Sequence, residues 1–241
     1  MKTKNPADST GRRISAAVLA AAGTVLVMIA YLVSIVEAAA FDPSYYVREY
    51  EKNGTAQYVG VDQDTLTEAT DVLLEYLRGT RQSLDLQVEV SGTVREYYSD
   101  REKMHMVDVR DLNLGALAMM WTGYIAGGAA LACAFVLSRQ KRRVWRTIFW
   151  SVLGVLGAFA LLGIWAAADF GNLWTSFHHV FFRNDLWLLD PRTSLMIRMF
   201  EEQFFFDLVA QILAWYLAGA AAILIVSWLM DRRGKRRSAV T

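Results

Sequence analysis

The chain has 241 residues, of which 54% are hydrophobic and 20% charged, and its mean hydropathy is +0.24. Soluble chains carry about 45–50% apolar residues and about 25% charge, so an ordinary soluble domain and a disordered chain are both excluded. One cysteine, Cys133, leaves no intramolecular disulfide to form, and a formal charge of +1 argues against a nucleic-acid role. Cys133 also sits in an apolar run, where a thiol stays protonated and makes a poor nucleophile.

The apolar excess is concentrated in four runs of 22–25 residues. About 20 residues of helix cross a hydrocarbon core of about 30 Å, so each run is a predicted transmembrane helix. Residues 1–13 are a basic N-terminal segment with Lys2, Lys4, Arg12 and Arg13, followed by a first span at 14–36. That span and the Glu37-Ala38-Ala39-Ala40 after it have features of a signal peptide. The run is longer than the roughly 7–15 residues of a signal h-region, so an uncleaved anchor is expected. The other spans are expected at 114–138, 147–168 and 208–230, with a basic loop at 139–146 and a basic tail at 231–241. The glycines of the second span (Gly115, Gly123, Gly127, Gly128) and of the third (Gly154, Gly157, Gly163) are read as bundle-packing positions.

Charge sets the orientation. The N-terminal segment, the loop and the tail hold 14 of the 25 Lys and Arg residues, with only Asp8 and Asp231 among the acids. The rest of the chain holds 11 basic and 22 acidic residues. Positive residues gather on the cytoplasmic side, so both termini are expected inside, and 37–113 and 169–207 outside.

The segment 37–113 reads as a small α+β cap. Thr65-x-x-Glu68 has the pattern of a capping box, and Leu66, Ala69, Leu73, Leu74 and Leu77 recur at helical spacing until Gly79. Leu84, Leu86, Val88 and Val90 alternate with polar residues as in a half-buried strand; Ser91-Gly92 offers a turn, and Thr93 to Tyr98 a returning strand. Arg101 to Leu112 then runs as a helix into the second span. On it Glu102, His105 and Asp108 share a face, so the two acids are expected to bracket the imidazole. Such a set fits a solvated helix, a proton-handling group that fixes tautomer and basicity, or the start of a metal site.

The segment 169–207 is the most unusual in composition. From Leu173 to Asp207 it holds seven Phe, two Trp and the adjacent His178 and His179. It is expected to lie in the membrane interface, with Trp174 and Trp187 as anchors and Met196, Met199, Phe200, Phe204 and Phe205 forming one helical stripe. His105, His178 and His179 are all of the protein's histidines, and all fall just outside the predicted spans. A shared site is the simplest expectation.

Five motifs together carry a resemblance: EYEKNG (Glu49–Gly54), LLEYLRG (Leu73–Gly79), DREKMHMVDV (Asp100–Val109), FHHVFF with a following Trp187, and FEEQFF (Phe200–Phe205). The chain resembles the bacterial four-span integral membrane protein family that includes the lipoprotein intramolecular transacylase, over roughly residues 14–230. It departs at Glu201, where the family often has proline, and at Ser194, where it often has an acid. The resemblance implies a four-helix bundle with an extracytoplasmic cap in the bacterial cell membrane, and an enzyme without cofactor or metal. The implied reaction moves the sn-2 acyl chain of a diacylglyceryl-cysteine lipoprotein to that cysteine's own α-amine, giving the lyso-form. The expected partners are the diacylated lipoprotein N-terminus and membrane lipid.

An α-amine of pKa ~7.7–8.0 must lose a proton to attack, and an imidazole near ~6.5 can take it. An imidazole of the adjacent pair is therefore expected as general base; the residues leave His178 and His179 both open, and the resemblance favours His178, directly after Phe177. His105 is expected as second acid/base or oxyanion donor, with Asp108, Glu102, His179, Trp187 and Glu202 in support. No Gly-x-Ser-x-Gly nucleophile is present, in keeping with a reaction whose nucleophile belongs to the substrate. Two other classes use the same residue types: a metal-dependent membrane hydrolase, and a lipid- or partner-binding membrane protein without catalysis.

Overall fold

The computed structural model describes residues 6–90 and 92–238. In chain order it comprises α1 (Pro6–Ala40), α2 (Pro43–Asn53), α3 (Thr55–Val59), α4 (Gln63–Leu77), β1 (Gln87–Val90), β2 (Thr93–Glu96), α5 (Asp100–Leu137), α6 (Lys141–Ala168), α7 (Phe170–Phe181), α8 (Leu195–Met199) and α9 (Glu202–Ser238). Lys2 and Lys4 of the basic N-terminal segment, and Ser91 of the expected turn, lie outside the described residues. Helices α1, α5, α6 and α9 are long and apolar enough to cross a membrane. In hydrocarbon the backbone has no water to bond, so an apolar run must satisfy its own amides as helix. The polar residues Asp100–Asn113 are continuous with the second apolar run in the single helix α5.

The chain divides into two compact units. One takes its described residues from Met1–Ile35, Ala118–Trp165 and Leu213–Thr241. Its helices meet through small residues. A β-carbon on Gly23 would lie 2.8 Å from the Gly127 carbonyl oxygen, and one on Gly127 would lie 2.9 Å from the Gly23 oxygen. A methyl at Gly219 would overlap the Tyr31 hydroxyl. Tyr31 itself stacks on Tyr216 and donates to the Trp215 carbonyl at 3.2 Å. Large apolar side chains point outward, Ile125 at 72% and Val136 at 78% exposure, as lipid-facing residues do. The bundle-packing role expected of the glycines holds for Gly123 and Gly127 and fails for Gly115, Gly128, Gly154, Gly157 and Gly163. A β-carbon on any of those five meets nothing within 4 Å. Spacing along one helix does not say which face finds a partner.

The other unit comprises Val36–Leu117 and Ala166–Ile212. Its core is rich in tyrosine: Tyr45, Tyr46, Tyr50, Tyr97 and Tyr98 are buried around Leu66, Leu73, Leu195 and Phe204. Buried hydroxyls need partners, and four have them. Tyr45 donates to the Phe204 carbonyl at 2.8 Å, Tyr46 to Ala40 at 2.6 Å and Tyr98 to Ala69 at 2.7 Å, while Tyr50 shares a hydrogen with Thr70 at 3.0 Å. Strands β1 and β2 pair antiparallel with Gln87 opposite Glu96 and Val90 opposite Thr93, and Gly92 turns at φ +80°. Lys103 pins the hairpin to α5 through Asp85 at 2.5 Å and Glu96 at 2.9 Å.

Two local expectations change. Helix α4 is capped by Asp62, whose carboxylate accepts the Thr65 N–H at 2.7 Å, and not by the Thr65–Glu68 pair. A full negative charge at the helix N-terminus offers more than a hydroxyl, so the helix starts one turn earlier. The stripe from Met196 to Phe205 is broken at Phe200 (φ −120°, ψ 65°), between α8 and α9. Met196, Met199 and Phe204 still reach one core, from two helices instead of one.

Candidate functional site

The site is built from the start of α5, from α7 and from the loop after α7. A reciprocal capping box opens α5: Glu102 Oε2 accepts the Ser99 N–H at 2.5 Å, and Ser99 Oγ accepts the Glu102 N–H at 3.4 Å. His105 follows one turn later and is buried. In α7, started by Asp169 accepting the Asn172 N–H at 2.9 Å, Trp174 and His178 are four residues apart and share a face, and Phe182 caps the end.

These elements bring His105 and His178 together, with ring centroids 6.3 Å apart. Phe182 lies against both, 5.1 Å from His105 and 5.6 Å from His178. Trp187 covers His178 at 4.7 Å, and Trp174 meets the same ring at 4.9 Å. The adjacent His179 points to the exposed side and meets the edge of Trp187, at 5.2 Å. The helical turn thus separates two histidines that are neighbours in sequence.

The loop carrying Trp187 is tied to α5. Asn184 Nδ2 donates to Asp108 Oδ2 at 2.8 Å, and the Arg101 guanidinium donates to the Asp185 carbonyl. The charge of Asp108 favours a proton on His105. Glu102 faces elsewhere. Its carboxylate, 1% exposed, turns back to Ser99 and across to the Ser194 hydroxyl and the Met196 N–H. Helical side chains lean toward the N-terminus, which takes this carboxylate away from the histidine one turn ahead. Glu202 is exposed in the first turn of α9 and has no part in the cluster.

The electrostatics favour neutral imidazoles. Burial pushes His105 down to about 4, helped by His178 and opposed by Asp108. Burial also lowers His178, with its bond to Trp174 acting in the opposite direction. That bond fixes the tautomer. His178 Nδ1 lies 2.8 Å from the Trp174 carbonyl oxygen, which can only accept, so Nδ1 carries the hydrogen and Nε2 keeps a lone pair. Two buried polar atoms beside it have no partner in the described protein: His105 Nδ1 and Trp187 Nε1. A buried polar atom without a partner carries a desolvation penalty that a bound ligand can relieve. The site therefore combines one base with two atoms ready to bond a polar group, inside an aromatic wall.

Sequence reasoning missed Trp174 as hydrogen-bond acceptor, Phe182 as the spacer between the rings, and Asn184, Arg101 and Ser194 as ties. The four-residue step from Trp174 to His178 and the Ser99-x-x-Glu102 pattern were readable signals. The ties span 76 to 94 residues and leave no local pattern. Among the described residues, no group of three or more His, Cys, Asp or Glu side chains is placed to hold a metal ion.

The match to known proteins follows the same lines. The family described as lipoprotein intramolecular transacylase Lit matches residues 21–205. The fold is shared with the membrane integral lipoprotein intramolecular transacylase Lit from Bacillus cereus, at 18% identity and a TM-score of 0.67, covering 93% of this chain and 97% of that one. A variant of that protein with a histidine replaced by arginine gives a TM-score of 0.69 at 18% identity, covering 96% of each chain. No curated protein is significantly similar to the chain. The structural likeness carries the four-span fold, and the family match covers most of the sequence, including both histidine-bearing motifs. The chain belongs to the lipoprotein intramolecular transacylase family.

Proposed function

We propose that the histidine pair catalyses transfer of the sn-2 acyl chain of a diacylglyceryl-cysteine to the α-amine of the same cysteine. The observation that carries this reading is the fixed tautomer of His178, whose Nε2 lone pair is held beside two unpaired polar atoms. The amine nitrogen attacks the ester carbonyl carbon and passes its proton to His178 Nε2. His105 and Trp187 bond the oxygen that gains charge, with Nε1–H of the indole as one donor. The carbon–oxygen bond to glycerol then breaks, and the imidazolium proton goes to the departing oxygen. The products are an amide at the N-terminus and a free glycerol hydroxyl, with the enzyme unchanged. Nucleophile and ester share one molecule, so the protein supplies orientation, worth up to about 7–11 kcal/mol when good.

The aromatic wall of Trp174, Phe177, Phe181 and Phe182 is suited to acyl chains. The charge distribution supports both termini and the 139–146 loop in the cytoplasm, which puts the histidines at the outer leaflet of a bacterial cell membrane, reached by secreted lipoproteins. Mass spectrometry of a reporter lipoprotein's N-terminal peptide tests the reaction. Cells with the protein should yield the N-acylated lyso-form, and cells without it the unmodified diacyl form; identical peptides would reject it. Tags after Thr241 and near Gln140 should be protected in intact cells, and one near Asn53 accessible. An accessible C-terminus would overturn the orientation.

A further inference from the structure

We propose that Glu102 is a positioning residue that holds the Trp187 loop over the histidine pair, and not a proton partner of His105. The inference rests on the histidine reading above. Its two oxygens have separate tasks. Oε2 stays local and closes the capping box with Ser99 at 2.5 Å. Oε1 reaches across the fold, where it accepts the Ser194 hydroxyl and, at 3.2 Å, the Met196 N–H. Ser194 in turn accepts the Ile197 N–H at 3.0 Å, so the first turn of α8 is organised around this one carboxylate.

Glu102 is 1% exposed, and among the described residues no Lys, Arg or His nitrogen is paired with it. A buried carboxylate without a counter-charge is held only by such hydrogen bonds, so its place is strongly determined. The geometry gives that place a use. Glu102 lies one turn before His105 on α5, and Ser194 ends the loop that begins after Phe182 and carries Trp187. Near the loop's start, Asn184 and Asp185 are tied to Asp108 and Arg101 of the same helix. Both ends of the loop are therefore fastened to the helix that bears His105, and the Glu102 tie fixes the far end.

The test uses the full-length protein in detergent with a synthetic diacylglyceryl-cysteine peptide, following the N-acyl lyso product by mass spectrometry. Glu102→Gln still serves a capping box but turns one amide hydrogen toward the Met196 N–H; Ser194→Ala removes the hydroxyl from the long tie, and with it the acceptor for the Ile197 N–H, while the Ser99–Glu102 box and the Met196 N–H bond stay in place. Each should lower kcat about 10- to 100-fold with KM little changed, since a misplacement of about 1 Å can cost 10²-fold. Combining them should cost no more than the worse single change, and the pH profile of the remaining activity should keep its shape. Wild-type rates for Ser194→Ala would overturn the proposal and leave Glu102 as a helix cap. An altered pH profile for Glu102→Gln alone would overturn it in favour of a proton partner. Failure of the underlying histidine reading is distinguishable, because His178→Ala would then keep its activity.

Discussion

The two units of this protein solve the burial problem in opposite ways. The span-rich unit is held by absence: Gly23 and Gly127 bring two backbones together because neither has a side chain, and its large apolar residues face outward. The histidine-bearing unit is held by satisfied polar groups inside a core, with four tyrosine hydroxyls and one carboxylate each bonded to a named partner. The difference follows from solvent. Among lipid tails no hydrophobic force pulls helices together, so close packing must do it. Outside the hydrocarbon, apolar burial drives collapse, and polar groups taken inside must be paired. Four buried side-chain atoms of that unit lack a partner among the described residues, Gln63 Nε2, Tyr97 Oη, His105 Nδ1 and Trp187 Nε1, and the last two flank His178.

The largest expected effect separates chemistry from folding. His178→Ala and His105→Ala should each cut formation of the N-acyl lyso product about 10²–10⁴-fold, as loss of a general acid or base does. Both variants should still accumulate in the membrane, because close approach at small residues such as Gly23 and Gly127 holds the span-rich unit, and that needs no imidazole. His179→Ala should be far milder, since that ring is exposed and lies against the edge of Trp187. Full product from the His178→Ala/His105→Ala double variant, quantified by mass spectrometry, would reject the mechanism.

The next effect tests the packing side. Gly127→Leu should destabilise the detergent-solubilised protein by about 1–3 kcal/mol or more, because its β-carbon would sit 2.9 Å from a backbone oxygen that cannot move aside. Gly157→Leu has open space and should melt within a few degrees of the parent. Equal melting temperatures for the two would remove the contrast drawn here between glycines that are used and glycines that are not.

A smaller effect is expected in the tyrosine core. Tyr98→Phe removes a buried hydroxyl and leaves the Ala69 carbonyl without that donor, at a cost of about 1–3 kcal/mol. Chemical denaturation should register this loss while specific activity in the folded fraction stays unchanged, since Tyr98 does not touch either histidine.

The smallest effect is a pH dependence. The fold holds His105 at about 4, below the ~6.5 of an unfolded histidine, so the unfolded chain binds more protons between these values. Stability should therefore fall as pH drops from 6.5 toward 4, with His178 contributing in the same direction. His105→Gln should flatten that part of a melting-temperature profile. Asp190, lowered to about 2 by its Arg192 partner, acts below this window. An unchanged slope in the variant would show that the imidazole is not kept neutral by burial.

Much of this was legible without coordinates. Four uncharged runs of over 20 residues can only be helices in hydrocarbon, and three histidines outside them, next to acids and aromatics, marked a site. The helical period puts Glu102 and His105 on one face and Trp174 and His178 on another, because side chains three and four apart share a turn. What the tertiary structure alone decided was the facing of those surfaces. It buried His178 beside His105 and left His179 exposed, since only one of two adjacent helical residues can point at α5. It took Glu102 away from His105 and gave it to Ser194, 92 residues along the chain. It also picked Gly23, which spacing had not singled out, over Gly157, which it had. A local period states which residues travel together, and only the packing of distant segments states what they meet.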